Sequence, residues 1–200
     1  MKPSDLVTIQ FEHATLYWAT CVYLQDRTSI TVRDLTNVLL NQWFVGPCFV
    51  FGLYQTGWQP VDPTLATRPV SACGYLVTYY LVLCLSFYAI HRLAHSTTIC
   101  NGFLWRKIHV LHHTYTVTAP CGAFYCHPLE HIGINLVPVL LGPLCLPADL
   151  VTVRVWFALC TISSVVAHHG ATGPHGIHHR RPNVNFGVGT WLDTLLGTGA

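Results

Sequence analysis

Long stretches without a single charge constrain this chain more than any other feature. No Asp, Glu, Lys or Arg occurs between Asp34 and Asp62, and Val38 to Tyr54 is apolar apart from Asn41 and Gln42. Between Arg68 and Arg92 the run from Cys73 to Ile90 is cleaner still. A helix crosses the hydrocarbon core of a bilayer with about 20 mostly apolar residues, so both segments read as transmembrane. A second pair is weaker: Ile132 to Leu146, which contains Pro138 and Pro143, and Leu150 to Ala167, which contains Arg154. Only Pro147, Ala148 and Asp149 separate them, which reads as the tight turn of a helical hairpin, full or re-entrant. Proline is tolerated in a membrane helix where neighbours satisfy the carbonyls it frees. Ala14 to Tyr23 is too short to span and suits an interfacial helix or one packed on the bundle. Gln55 to Pro69, with Pro60, Pro63 and Gly57, reads as a loop. The expected architecture is all-α, an integral-membrane helical bundle of about four transmembrane or re-entrant helices, with residues 1–200 forming one domain.

Composition agrees. Of 200 residues, 52% are hydrophobic and only 9% charged, where an ordinary soluble domain has about a quarter charged. A formal charge of +2 with scattered basic residues excludes a nucleic-acid partner held by counterion release. The nine cysteines stand singly, with no Cys-x-x-Cys pair, and are expected to be buried free thiols. The start, Met1-Lys2-Pro3-Ser4-Asp5, lacks the basic and apolar regions of a cleaved signal.

Thirteen histidines are the oddity. Three motifs have helical ligand spacing: His91-Arg-Leu-Ala-His95, His109-Val-Leu-His112-His113 and His175-Gly-Ile-His178-His179. Residues at i, i+3 and i+4 share a helical face, so each motif is expected to point its imidazoles at a common spot. His127, just before Pro128 and near Glu130, and His168, at the end of the last apolar segment, sit where elements begin or end. Imidazole suits iron, zinc, copper or nickel. Ten such ligands exceed the three or four a single zinc takes and suit two ions. Glu130 is the only glutamate after residue 12, so a carboxylate-bridged centre is excluded and the site must be histidine-rich. His13 is expected to be an interfacial or core residue, and His131 and His169 to support or pack rather than ligate.

All these clusters lie at helix ends on one side of the bundle. Arg92, Arg106, Lys107, Arg180 and Arg181 fall on that side, against Arg68, Asp62 and Asp149 on the other. The positive-inside rule therefore makes the small histidine-rich cap cytosolic. Metal at helix ends rather than midway along spans favours an interfacial enzyme over a transporter.

At these residues the chain resembles the fatty acid hydroxylase and sterol desaturase superfamily of membrane di-iron oxygenases. The shared pattern is HxxxH, HxxHH and a final HxxHH. Ala119-Pro120, Gly122 and Tyr125-Cys126-His127-Pro128-Leu129-Glu130 resemble the sterol 4-methyl oxidase branch. Asn185-Phe186-Gly187, Trp191-Leu192-Asp193 and Leu196-Gly197-Thr198 resemble the family's closing motif, and the likeness covers about residues 73–198. The resemblance implies ten ligands, His91, His95, His109, His112, His113, His127, His168, His175, His178 and His179, holding two iron ions. It also implies hydroxylation of a membrane lipid (a sterol, fatty acyl or sphingoid group) by dioxygen, or desaturation at the same centre. Electrons would come from cytochrome b5 and its reductase, in the endoplasmic reticulum. A trimmed relative that binds metal without turnover is the alternative. Two departures stand out: Gly176 occupies the place of an aspartate in the usual His-Asp-x-His-His box, and only five residues separate His169 from His175. A trimmed cap and a more open pocket follow.

Overall fold

A computed structural model describes residues 2–24, 31–62, 64–65, 68–116 and 118–200. Met1 of the N-terminal segment, and Pro63, Ala66 and Thr67 of the predicted loop, lie outside the described residues. Among those described the fold is helical, as expected. α1 (Pro3–Tyr23) opens with proline in its first turn, and the Lys2 N–H donates to Asp5 at 2.6 Å. α2 (Val32–Leu40) starts at a reciprocal cap: the Thr31 N–H donates to Asp34 Oδ2 at 3.1 Å and the Asp34 N–H to Thr31 Oγ1 at 3.3 Å. A wide π turn over Asn41–Val45 joins it to α3 (Gly46–Gln55).

Three helices are long and apolar enough to cross a bilayer: α4 (Pro69–Ala94), the composite helix Pro128–Cys145, and α7 (Leu150–Ala167). The composite helix contains α5 (Pro128–Glu130), a π stretch at His131–Leu136, and α6 (Val137–Cys145). The predicted hairpin is therefore present, and Asp149 caps its second arm by accepting from the Thr152 N–H at 3.0 Å. The helix over the first predicted span, Val32–Gln55, is not one of the three. Its polar residues turn inward: Asn41 Nδ2 donates to the Phe124 and Cys126 carbonyls at 2.9 Å each.

The 26 residues of α4 extend about 39 Å at 1.5 Å per residue, beyond a hydrocarbon core of about 30 Å. Its C-terminal turn, with His91, thus reaches past the apolar layer. At the other end Val61 pairs with Ala148 of the hairpin turn, and the Asp62 N–H donates to the Ala148 carbonyl at 2.9 Å. Between these ends α4 and α6 meet closely. A Cβ on Gly142 would lie 2.8 to 3.0 Å from Tyr79 atoms, so only glycine permits that contact, and the Tyr79 hydroxyl donates to the Leu146 carbonyl at 2.6 Å.

Two short helices follow α7: α8 (Pro174–Arg180) and α9 (Thr190–Leu195). With the irregular 99–123 segment they form the histidine-rich cap. The nine cysteines are free, as expected, but only Cys21, Cys84 and Cys126 are buried. Cys48, Cys73, Cys100 and Cys145 are exposed, because an apolar residue in a membrane bundle is as well accommodated facing outward as inward.

Candidate metal centre

The C-terminal ends of α4 and α7 and the N-terminal end of the composite helix meet at one end of the bundle. Nine of the predicted ligands converge there in two groups: His91, His95, His109, His113 and His178 in the first, and His112, His168, His175 and His179 in the second. Within each group the candidate ligand atoms lie within 4.8 Å of one another.

The triplets do not each aim at one spot. His109 and His113 join the first group while His112 between them joins the second. Conversely, His175 and His179 join the second and His178 the first. Each triplet thus gives its i, i+4 pair to one group and its i+3 member to the other. A regular α-helix would hold the three on one face. The first triplet lies where the chain passes from a π stretch at Leu104–Ile108 into a 3-10 stretch at His109–Thr114, but the second is divided in the same way on α8, so rings on one helical face serve two neighbouring groups.

The tenth residue, His127, is not brought to either group. It precedes α5, and its Nδ1 accepts the Leu129 N–H at 3.1 Å. A histidine followed by proline is well placed to cap a helix, and that is its part here.

The proton positions follow from the partners. Nδ1 of His91 donates to the Phe186 carbonyl at 2.8 Å, and Nδ1 of His178 to that of Val184 at 2.7 Å. His112 donates to Tyr125 at 3.1 Å, His168 to Ser164 at 2.8 Å and His179 to Tyr115 at 2.9 Å. His109 Nδ1 meets the Glu130 carboxylate at 2.6 Å, with both residues buried. A neutral imidazole has one N–H, so in each of these rings Nε2 bears a lone pair. Those lone pairs face each other. His91 and His109 Nε2 are 3.1 Å apart, and His168 and His112 Nε2 3.2 Å. Neither contact can be a hydrogen bond, since neither has a proton to share.

Apposed lone pairs are the signature of a cation site. Bonds of about 2.1 Å to one shared ion would bring neighbouring ligand atoms to within about 3.4 Å of one another. The remaining Nε2 separations, 2.8 Å for His109–His95, 3.0 Å for His175–His168 and 3.1 Å for His179–His175, agree. His178 Nε2 and both nitrogens of His113 are buried without partners, a costly state that a bound ion relieves. Burial holds His109 and His168 at about 3, the neighbouring His112 adding to the effect on His168, and His178 at about 4. His112 is lowered too, burial again the main cause. The rings are therefore neutral, as ligands must be.

Glu130 is the functional residue that spacing did not assign. It orients His109 in the manner of a carboxylate–histidine–metal triad, and its solitary place among late glutamates was the available signal. Asp193 works one step further out. Fully buried, it accepts the N–H groups of Phe186 and Gly187 at 2.8 Å each and the Thr198 hydroxyl at 2.7 Å, fixing the loop whose Phe186 carbonyl holds His91.

The two departures at the last triplet are one adaptation. A Cβ on Gly176 would sit 2.4 Å from the Gly170 carbonyl oxygen and 2.9 Å from the Ala171 carbonyl carbon. The shortened connection after His168 presses its backbone against α8 and leaves no room for an aspartate. His131 and His169 stay out of both groups, as expected; His169 is exposed, and His131 is buried beside Phe124.

Below the histidines a cavity of about 1390 Å³ runs into the bundle. His91, His112 and His168 lie on its wall with apolar side chains such as Phe87, Val139 and Trp156.

Comparison with known proteins gives one consistent answer. Residues 76–198 match the family model described as fatty acid hydroxylase. The chain is 35% identical over 177 residues to "Fatty acid hydroxylase domain-containing protein 2" of Homo sapiens, covering 83% of this chain and 51% of that protein. It is 32% identical to "Fatty acid hydroxylase ahd1" of Mycosarcoma maydis, covering 70% of this chain and 38% of that protein. With "Methylsterol monooxygenase 1-2" of Arabidopsis thaliana it shares 29% identity over 65% of this chain and 49% of that protein. The chain thus spans about half the length of the curated relatives it matches most strongly. No solved structure matches it.

Proposed function

The chain belongs to the fatty acid hydroxylase family, and from that premise we propose that it is a membrane-bound oxygenase that hydroxylates a lipid at a histidine-held pair of iron ions. The observation that carries this reading is the pair of imidazole groups whose Nε2 atoms approach one another at 2.8 to 3.2 Å, with lone pairs facing at His91–His109 and His168–His112. The five residues of the first group would hold one ion and the four of the second the other. When bound, iron supplies the reduction of dioxygen with external electrons and the transfer of one oxygen atom to a C–H bond, the second oxygen leaving as water.

The protein's own part is geometric. Backbone carbonyls and Glu130 hold Nδ1 of His91, His109, His112, His168, His178 and His179, so Nε2 of those six is fixed in orientation before metal arrives. Trp105 lies over His95, with ring centroids 4.7 Å apart, and near His113 at 5.2 Å, shielding the first group from water. The apolar cavity admits a lipid chain to the histidine wall and excludes bulk water around the reacting carbon. In this reading the histidine end faces the cytosol of the endoplasmic reticulum membrane, and cytochrome b5 with its reductase supplies the electrons.

Metal analysis of the detergent-purified chain tests the reading first: about two iron atoms per chain are expected, and a single zinc, or no metal, would sink it. Oxidised-lipid profiles of cells test turnover. A His112→Ala, His178→Ala double variant removes one ligand from each group and is expected to abolish the product made by the intact chain. Identical profiles would end the catalytic claim.

A further inference from the structure

About two helical turns below the second histidine group, the cavity wall becomes polar. Gln42 lines the cavity and is 3% exposed. Its Oε1 accepts the Trp18 indole N–H at 2.9 Å. Indole only donates, so the amide orientation is settled, and Nε2 is a donor buried without a partner. The Gln42 carbonyl accepts from Gln10 Nε2 at 2.7 Å, so Gln42 runs alongside the part of α1 between Gln10 and Trp18. His13 lies in that interval and lines the same cavity.

The Thr161 hydroxyl donates to the Phe157 carbonyl at 2.8 Å and lies 2.6 Å from His13 Nδ1; with its one proton on that carbonyl it accepts from Nδ1. His13 Nε2 then bears a lone pair, with no hydrogen-bond partner among the described residues. Phe124 stacks against His13 with ring centroids 5.8 Å apart, and His131 meets the same ring at 5.2 Å, which confines the site. Thr161 precedes His168 on α7 by a separation that corresponds to about 10 Å along the axis.

A buried donor without a partner, Gln42 Nε2, and a histidine lone pair therefore border a single, mainly apolar cavity, and the buried unpaired donor is costly. We propose that Gln42 and His13 form a recognition site for the hydroxyl group of a lipid alcohol. The hydroxyl donates to His13 Nε2 and its oxygen accepts from Gln42 Nε2. The carbon skeleton runs up the cavity, so the carbon presented to the histidines lies on the order of 10 Å from the hydroxyl. An ether, ester or ketone can only accept and leaves His13 unpaired; a carboxylate cannot donate and brings an uncompensated charge. This rests on the lipid-oxygenase reading and narrows its substrate class.

Equilibrium dialysis of the iron-loaded full chain in detergent micelles, against protein-free micelles, tests the site with 1-hexadecanol, its methyl ether and hexadecane. The alcohol is expected to bind about tenfold or more tighter than the other two, since a site built to pair with a hydroxyl rejects analogues lacking it. His13→Phe and Gln42→Leu are each expected to erase that preference with iron content unchanged. Equal binding of alcohol and ether by the intact protein overturns the proposal without reference to any variant, as does a preference that survives both substitutions. Lack of turnover by the same iron-loaded protein would instead count against the oxygenase reading, because the ligand preference is measured without turnover.

Discussion

The two histidine groups are fed by the same two triplets in opposite proportions, yet they are supported differently. The first is anchored on the last turn of α4 by His91, packed under Trp105, and oriented in part by a carboxylate, Glu130. The second has only backbone carbonyls behind it, from Tyr115, Tyr125 and Ser164. Two of its four histidines, His175 and His179, sit on α8 beyond the compact turn after His168, whereas the first group takes only His178 from α8. The difference teaches that both groups draw on a long helix and on α8, but that the second leans more on the short connection and only the first has a buried carboxylate behind it.

The sharpest way to break that comparison is Gly176→Asp, which restores the family's usual residue. The Cβ collides with the Gly170 carbonyl, and overpacking of this kind costs about 1–3 kcal/mol. Iron is expected to fall, more at the second group, which takes two residues from α8, than at the first, which takes one, with the apparent melting temperature lower by about 5 °C. Lengthening the 170–173 turn in the same variant is expected to restore both. If Gly176→Asp alone kept two irons, the shortened connection and the glycine would be unrelated.

Glu130→Ala acts on the other half. Removing the partner of a ligand histidine lowers metal affinity about 10- to 100-fold. Stepwise chelation should show this loss at one site, with the second unchanged. An equal loss at both would mean the groups are not separately supported.

Acid is expected to separate them least. His109 and His178 of the first group, and His168 of the second, are held at about 3, about 4 and about 3, against 6.5 in the unfolded chain. On acidification the unfolded chain takes up protons first. Stability of the metal-free protein is therefore complete above about pH 6.5 and falls as the pH drops toward 3 to 4. Thermal unfolding from about pH 7.5 to pH 5 should show the decline, and His168→Ala and His178→Ala should each shallow it to a similar degree. A flat profile would mean that the rings titrate normally in the folded state.

The histidine end was legible in the sequence because histidines recur there at helical spacing. Nine of the ten proposed residues are brought together. His127 lies outside both groups and caps α5, and a histidine before proline at a helix start looks the same in sequence whether it caps or ligates. The crossing of the triplets was not legible, since it occurs alike on the 3-10 stretch at His109–Thr114 and on α8, and spacing does not say which ring meets which neighbour. The pairing of His109 with Glu130, 21 residues later, is likewise tertiary. The hairpin and α4 were read from hydropathy alone. Val32–Gln55 was read less well, because hydropathy does not reveal that Asn41 and Gln42 face inward.

The loop at Phe186, clasped by Asp193, also sets an order of assembly. The three spanning helices emerge from the ribosome before His175, His178, His179 and the Phe186 carbonyl that steadies His91. During synthesis the bundle must therefore enter the bilayer with each half-centre short of ligands, held by contacts such as Gly142 against Tyr79. Under the proposed function, metal capture is then a closing event, and metal supply would govern how much finished protein accumulates rather than whether its helices insert.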